Sequence, residues 1–109
     1  MMTQNKLTFR AFRVEKIDGN YHGSVKEVEM GTLNNNEVLI KVHYSSLNYK
    51  DALSASGNKG VTRNYPHTPG IDAVGTIEKS NSDLFNAGEK VIVTSYDLGM
   101  NTDGGFAEY

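Results

Sequence analysis

Between Glu37 and Ser45 the side chains alternate, with Val38, Ile40, Val42 and Tyr44 on one face and Leu39, Lys41, His43 and Ser45 on the other. A period of two predicts a half-buried strand. Asn34-Asn35-Asn36 just ahead of it predicts a turn, because Asn tolerates left-handed backbone and its amide can bond its own main chain. Leu7 to Val14 is also strand-like, but its alternation breaks after Phe9-Arg10-Ala11-Phe12, as a bulge or a frayed edge would break it. A turn at Asp18-Gly19-Asn20 separates that run from Ser24 to Met30, so the first thirty residues predict a hairpin. Farther on, Ala73 to Lys79 and Lys90 to Tyr96 are rich in β-branched residues and are joined through Asn86-Ala87-Gly88-Glu89. The second of these is expected to be the central strand.

One segment departs from the short-strand pattern. Asn48-Tyr49-Lys50-Asp51-Ala52-Leu53-Ser54-Ala55 places helix formers behind Asn48, with an acidic residue three positions on. That resembles a capping box, in which Asn48 caps the first-turn amides and Asp51 favours the positive end of the helix. Gly57 and Gly60 end the helix, and Pro66 followed by Pro69-Gly70 predicts an irregular, extended loop. The pattern as a whole predicts a mainly β (α+β) molecule, a small barrel or sandwich with one short helix near residues 48–56.

Composition narrows the partners. At 109 residues the chain is one domain with room for one modest core. Its 11 Lys and Arg against 13 Asp and Glu leave a formal charge of -2 with the basic residues scattered, which argues against a nucleic-acid surface or an anionic membrane. The absence of Cys excludes disulfides, a thiolate nucleophile and sulfur-ligated zinc. His22, His43 and His67 lack the spacing or the carboxylate neighbours of a metal site, so no metal is expected. The first twenty residues, with Gln4-Asn5-Lys6 and Arg10, hold no secretory-type apolar stretch, and nowhere is there an 18-residue apolar run. A soluble, cytoplasmic protein is expected.

Two stretches carry more than periodicity. Ser45-Ser46-Leu47-Asn48-Tyr49-Lys50-Asp51 and Arg63-Asn64-Tyr65-Pro66-His67-Thr68-Pro69-Gly70-Ile71-Asp72-Ala73-Val74-Gly75-Thr76 resemble, in order and spacing, consecutive motifs of the quinone oxidoreductase branch of the medium-chain dehydrogenase/reductase superfamily. Ala87-Gly88-Glu89-Lys90-Val91-Ile92-Val93 and Gly104-Gly105-Phe106-Ala107-Glu108-Tyr109 extend the resemblance, which is nearest to the acrylyl-CoA reductase-like members. It covers the chain from about Glu37 onward and is loose over the first thirty residues. The resemblance implies a GroES-like, partly open β-barrel that serves as the catalytic, substrate-side domain. It also implies a following Rossmann domain, in which a glycine-rich turn holds the dinucleotide phosphates. Gly99, Gly104 and Gly105 have neither the spacing nor the following helix for that turn, so residues 1–109 are expected to be one domain of a longer polypeptide that stops before the nucleotide-binding domain.

The site residues follow from the same resemblance. Zinc-dependent alcohol dehydrogenases carry Cys where Asn48 stands and His where Ile71 stands, so a metal-free hydride transfer is implied. The reductant would be NADPH and the acceptor an enoyl-CoA thioester such as acrylyl-CoA, or a quinone, in a full-length protein that is a homodimer. Tyr49 is implied at the nicotinamide edge, bonding cofactor or substrate and assisting protonation; the alternative is a packed Tyr with a satisfied hydroxyl. Asn48 could touch the carboxamide or ribose, although a helix cap alone would account for it. Asp51 joins Tyr49 as a catalytic candidate, or else holds the helix start. Arg63 could meet a CoA phosphate, or only tie down its loop. Pro69, Gly70 and Asp72 form a structural turn in which Pro fixes φ and Gly admits close backbone approach beneath the cofactor.

A GroES-like barrel also occurs in a ring-forming chaperonin cap, so a stand-alone binding or co-chaperonin-like module without enzymatic activity is the competing expectation. Such a cap needs a mobile apolar loop early in the chain, whereas residues 16–24 are short and polar. A short free-standing protein that binds small molecules without turnover is a third.

Overall fold

Asp18 and Gly19 sit at φ values of 51° and 79°, the doubly left-handed geometry of a two-residue hairpin turn. In the computed structural model, which describes residues 7–94 and 97–109, this turn joins β1 (Thr8–Ile17) to β2 (Asn20–Glu29). Residues 1–6, which include Gln4-Asn5-Lys6, and Ser95 and Tyr96 at the end of the last predicted strand, lie outside the described residues.

The antiparallel register runs unbroken from Thr8↔Glu29 to Ile17↔Asn20, so the predicted break in β1 is not a bulge. Its alternation fails because β1 is buried by different neighbours along its length. The Phe12 N–H donates to Phe106 O at 2.8 Å, and Val14 exchanges two backbone bonds with His67 at 2.8 and 2.9 Å. Ala11 and Val14, three apart, are therefore its buried positions. Both strands also extend farther toward the turn than expected, because the tight turn lets even the largely polar and exposed end of the hairpin pair.

The second sheet contains β3 (Val38–Tyr44), β4 (Asp72–Ser80) and β5 (Lys90–Thr94) in the order β3-β4-β5. The central strand is thus β4, and the Lys90 run lies at the edge, which corrects the sequence expectation. Ala73, Gly75 and Ile77 of β4 are buried, and a Cβ at Gly75 would lie 2.2 Å from Lys41 O, so only glycine lets β3 approach there. The register of β3 against β4 shifts by one residue between Leu39 and Ile40 and again between Val42 and Tyr44. A one-residue shift exchanges the faces of a strand. The buried member of β3 is accordingly Leu39, from the face expected to be the more polar, while Tyr44 is exposed.

Between β3 and β4 lies α1 (Tyr49–Ala55), with Asn48 as N-cap. Gly57 follows at φ 91°, and a side chain there would overlap the Tyr21 ring. Tyr21 packs edge-on against Tyr65 with centroids 4.9 Å apart, and the Tyr65 hydroxyl donates to Ser54 O at 2.6 Å, which fastens the helix end over the hairpin. The Tyr65–Pro66 peptide is cis.

The two sheets are laced together by the last described residues. Glu108 N donates to Arg10 O at 3.0 Å on β1, and Val42 N of β3 donates to Glu108 O at 2.8 Å. The result is a GroES-like, partly open arrangement of two sheets around Ala11, Val14, Leu39, Ala73 and Ile77, with a half-open cavity of about 190 Å³ between them.

Candidate active site

The first turn of α1 and the turn at residues 69–72 are bound directly to one another. Asp51, at the third helical position, is 3% exposed. One carboxylate oxygen, Oδ2, accepts from the Asn48 N–H at 2.8 Å, the carboxylate half of a capping box. The other, Oδ1, accepts from the Ile71 N–H at 2.9 Å. A carboxylate so placed holds two backbone segments in one geometry.

Beside it stands a polar knot. Asn48 Nδ2 donates to Asp72 Oδ2 at 3.1 Å and to Ser46 Oγ at 3.0 Å, and the Ser46 hydroxyl donates to the same Asp72 Oδ2 at 2.9 Å. The Ser45 hydroxyl donates to Asp72 O at 2.6 Å. Next to the knot, Leu47 is 87% and Tyr49 79% exposed. The Tyr49 hydroxyl makes no hydrogen bond among the described residues, unlike the packed tyrosine that a purely structural role requires. A shallow apolar depression lined by Phe12, Leu47, Asn48, Asp51, Ala52, Ala55 and Phe106 flanks the helix; Tyr49 is not one of its walls.

Glycine backbone packs under this surface. Gly70 has φ 114°, and a Cβ on it would lie 2.6 Å from Gly105 N and 2.7 Å from Phe106 N. The close approach at Gly70 is therefore made by the 104–106 segment. Gly105 N donates to Gly70 O at 2.8 Å, and Phe106 N to Pro69 O at 3.1 Å.

The structure thus gathers Asn48, Asp51, Pro69, Gly70 and Asp72 into one region, with Tyr49 on its rim. Arg63 is exposed and makes no hydrogen bond or ion pair among the described residues. Sequence reasoning missed Ser45 and Ser46, although two adjacent hydroxyls ahead of a cap residue are a signal that they anchor the loop. It also missed Asp103, whose Oδ1 accepts from Arg13 at 2.7 Å and from the Thr68 N–H at 3.0 Å, tying the 97–105 loop to β1 and to the Pro69 turn. His67 is 3% exposed, and its Nε2 lies 2.9 Å from Gly99 O, so that nitrogen carries the proton in this contact. Among the described residues no three His, Cys, Asp or Glu side chains converge as metal ligands.

Residues 34–109 match the model of the family described as the alcohol dehydrogenase GroES-like domain. The chain is 37% identical over 102 residues to the acrylyl-CoA reductase AcuI of Ruegeria pomeroyi, covering 92% of this chain and 31% of that protein. It superposes on the crystal structure of Bacillus subtilis YhfP with NAD bound at a TM-score of 0.85 and 42% identity, covering 94% of this chain and 31% of the other. For Escherichia coli K-12 YhdH with bound NADPH the TM-score is 0.81 and the identity 42%, covering 90% and 30%. The chain therefore spans less than a third of the length of these relatives.

Proposed function

Because the chain belongs to the alcohol dehydrogenase GroES-like domain family, we propose that it is the substrate-side lobe of an NADPH-dependent reductase that acts without zinc. It works with a separate nucleotide-binding domain, in a homodimeric enzyme. The acceptor is an activated double bond in an enoyl-CoA thioester such as acrylyl-CoA, or a quinone. The observation that carries this reading is the exposed Leu47–Tyr49 ridge set against the fixed Asn48, Ser46 and Asp72 groups.

An apolar, aromatic ridge beside fixed amide and carboxylate groups fits a flat ring that bears a carboxamide. When bound, the reduced nicotinamide supplies the hydride. Asn48 and Tyr49 would hold it from this side. As hydride adds to the β-carbon of the acceptor, negative charge develops on the thioester oxygen. The Tyr49 phenol, with no partner of its own among the described residues, donates to that oxygen or passes its proton to the α-carbon. Asp51 acts by holding the helix start against Ile71. Arg63, free of internal partners among the described residues, meets a CoA phosphate. The residues at the two catalytic-zinc positions, Asn48 and Ile71, offer a carboxamide and an alkyl group, which do not fit a zinc ion.

The test is the complete enzyme with NADPH and NADH, presented with enoyl-CoA esters and quinones side by side in the presence of a metal chelator. NADPH-dependent reduction that survives chelation is expected. Loss of turnover on chelation, restored by zinc, refutes the metal-free mechanism, and no turnover of any acceptor refutes the reductase reading.

A further inference from the structure

We propose that Ser46 and Asp72 are positioning residues for this site, fixing the Asn48 carboxamide and with it the Leu47–Tyr49 ridge. The kinetic part of this inference rests on the reductase reading; the geometric part stands without it.

The linker between β3 and α1 has little else to hold it. Among the described residues no backbone–backbone hydrogen bond involves Ser45, Ser46 or Leu47, and the Leu47 side chain is almost wholly in solvent. The linker is held by side chains instead. Asp72, the first residue of the central strand β4, is paired to Thr94 of β5, and its carbonyl takes the Ser45 hydroxyl at 2.6 Å. Backbone closes in there too: a Cβ on Gly105 would lie 2.5 Å from Asp72 O. The rigid partner is therefore Asp72, and the adjustable one is the linker.

Three atoms, Ser46 Oγ, Asp72 Oδ2 and Asn48 Nδ2, form a near-equilateral triangle with sides of 2.9, 3.0 and 3.1 Å. A carboxylate can only accept, so the carboxamide nitrogen of Asn48, and not its oxygen, must turn toward Asp72. The Ser46 hydroxyl gives its one hydrogen to the same oxygen and offers a lone pair to Nδ2, which closes the triangle. Charge-assisted bonds of this kind are stronger than neutral ones. Asn48 therefore has one orientation available, and Tyr49 follows it directly in the chain. A displacement of a reacting group by about 1 Å can cost on the order of a hundredfold in rate. Holding this linker thus governs turnover more than affinity.

The test compares Ser46→Ala, Ser46→Thr and Asp72→Asn in the complete enzyme by kinetics, thermal unfolding and NMR of the ¹⁵N-labelled Asn48 side-chain amide. Ser46→Ala and Asp72→Asn are expected to lower kcat roughly tenfold or more with little change in KM for NADPH, and to move the Asn48 NH₂ resonances. Ser46→Thr keeps the hydroxyl and is expected to restore both. Wild-type kcat and unmoved Asn48 resonances in Ser46→Ala overturn the proposal. So does a loss of activity that follows a fall in melting temperature and is not rescued by Thr, since that is a purely structural role. If the wild-type enzyme reduces no acceptor, the reductase reading fails, and the Asn48 resonances alone decide whether the triangle holds.

Discussion

Neither Tyr49 nor Arg63 has an internal hydrogen bond among the described residues, both are exposed, and each carries a separable prediction. Tyr49→Phe removes one proton donor and leaves the ring. It should lower kcat for an enoyl thioester roughly a hundredfold, with small effect on KM, in steady-state assays of the complete enzyme; unchanged turnover removes the catalytic role. Arg63→Ala should raise KM for a CoA thioester and leave KM for a simple quinone unchanged, because only the thioester brings phosphates for a guanidinium to bind. Equal KM values for both acceptors would leave Arg63 as a loop residue. None of this was readable from periodicity. The motif around Asn48 pointed to the neighbourhood, whereas the bonding of Ser46 to Asp72 depends on two segments 26 positions apart meeting in space.

At the scale of elements, α1 is short and lacks a basic residue in its last turn, so its position depends on its caps. Asp51 is the chief of these. Asp51→Ala would strip the Asn48 and Ile71 N–H groups of their acceptor, and unsatisfied donors cost about 1–3 kcal/mol each. A loss of about 2 kcal/mol or more is expected in denaturant unfolding, and a change within error would mean that water replaces the carboxylate freely. The helix was legible because Asn48 and Asp51 signal a cap locally, and the hairpin because Asp18-Gly19 admits left-handed backbone. The central strand was misjudged. β-branched density favoured the run Lys90 to Tyr96, but small residues decide which strand can be flanked on both sides, and Gly75 has no propensity to advertise it. The two shifts of β3 were equally hidden, since a bulge is a matter of pairing with β4 and leaves the composition of β3 unchanged.

At the scale of the whole molecule, the Arg10–Glu108 contact beside the joint between the sheets is expected to respond to pH. The Arg10 N–H, which bonds Glu108 at 2.7 Å, and then the Arg10 guanidinium hold the Glu108 carboxyl below its usual value of 4.5. A depressed carboxyl contributes stability above its unfolded value and loses it as pH falls through the lower folded one. Glu108→Gln should therefore be less stable than wild type at neutral pH and flatter below pH 4.5, as read from unfolding midpoints along an acid series. Parallel curves would show that the carboxylate contributes nothing. Tyr65 acts at the other limb. Burial, aided by neighbouring Tyr21 and opposed by Thr62, raises its phenol above 10.0, so its contribution is present below that value and declines at higher pH. On the proposed reading, in which a separate nucleotide-binding domain holds the dinucleotide phosphates, residues 1–109 alone should not oxidise NADPH; spectrophotometric oxidation by this chain would refute that.

The lace between Arg10 and Glu108 joins positions 98 apart, while each sheet is built from strands that follow one another in sequence. Closing so wide a loop costs chain entropy before the contact rewards it, and such closures are slow. The strands of each sheet pair over shorter separations, so the clasp fastens last. A ribosome making this polypeptide must deliver nearly the whole domain before the Arg10–Glu108 clasp can close.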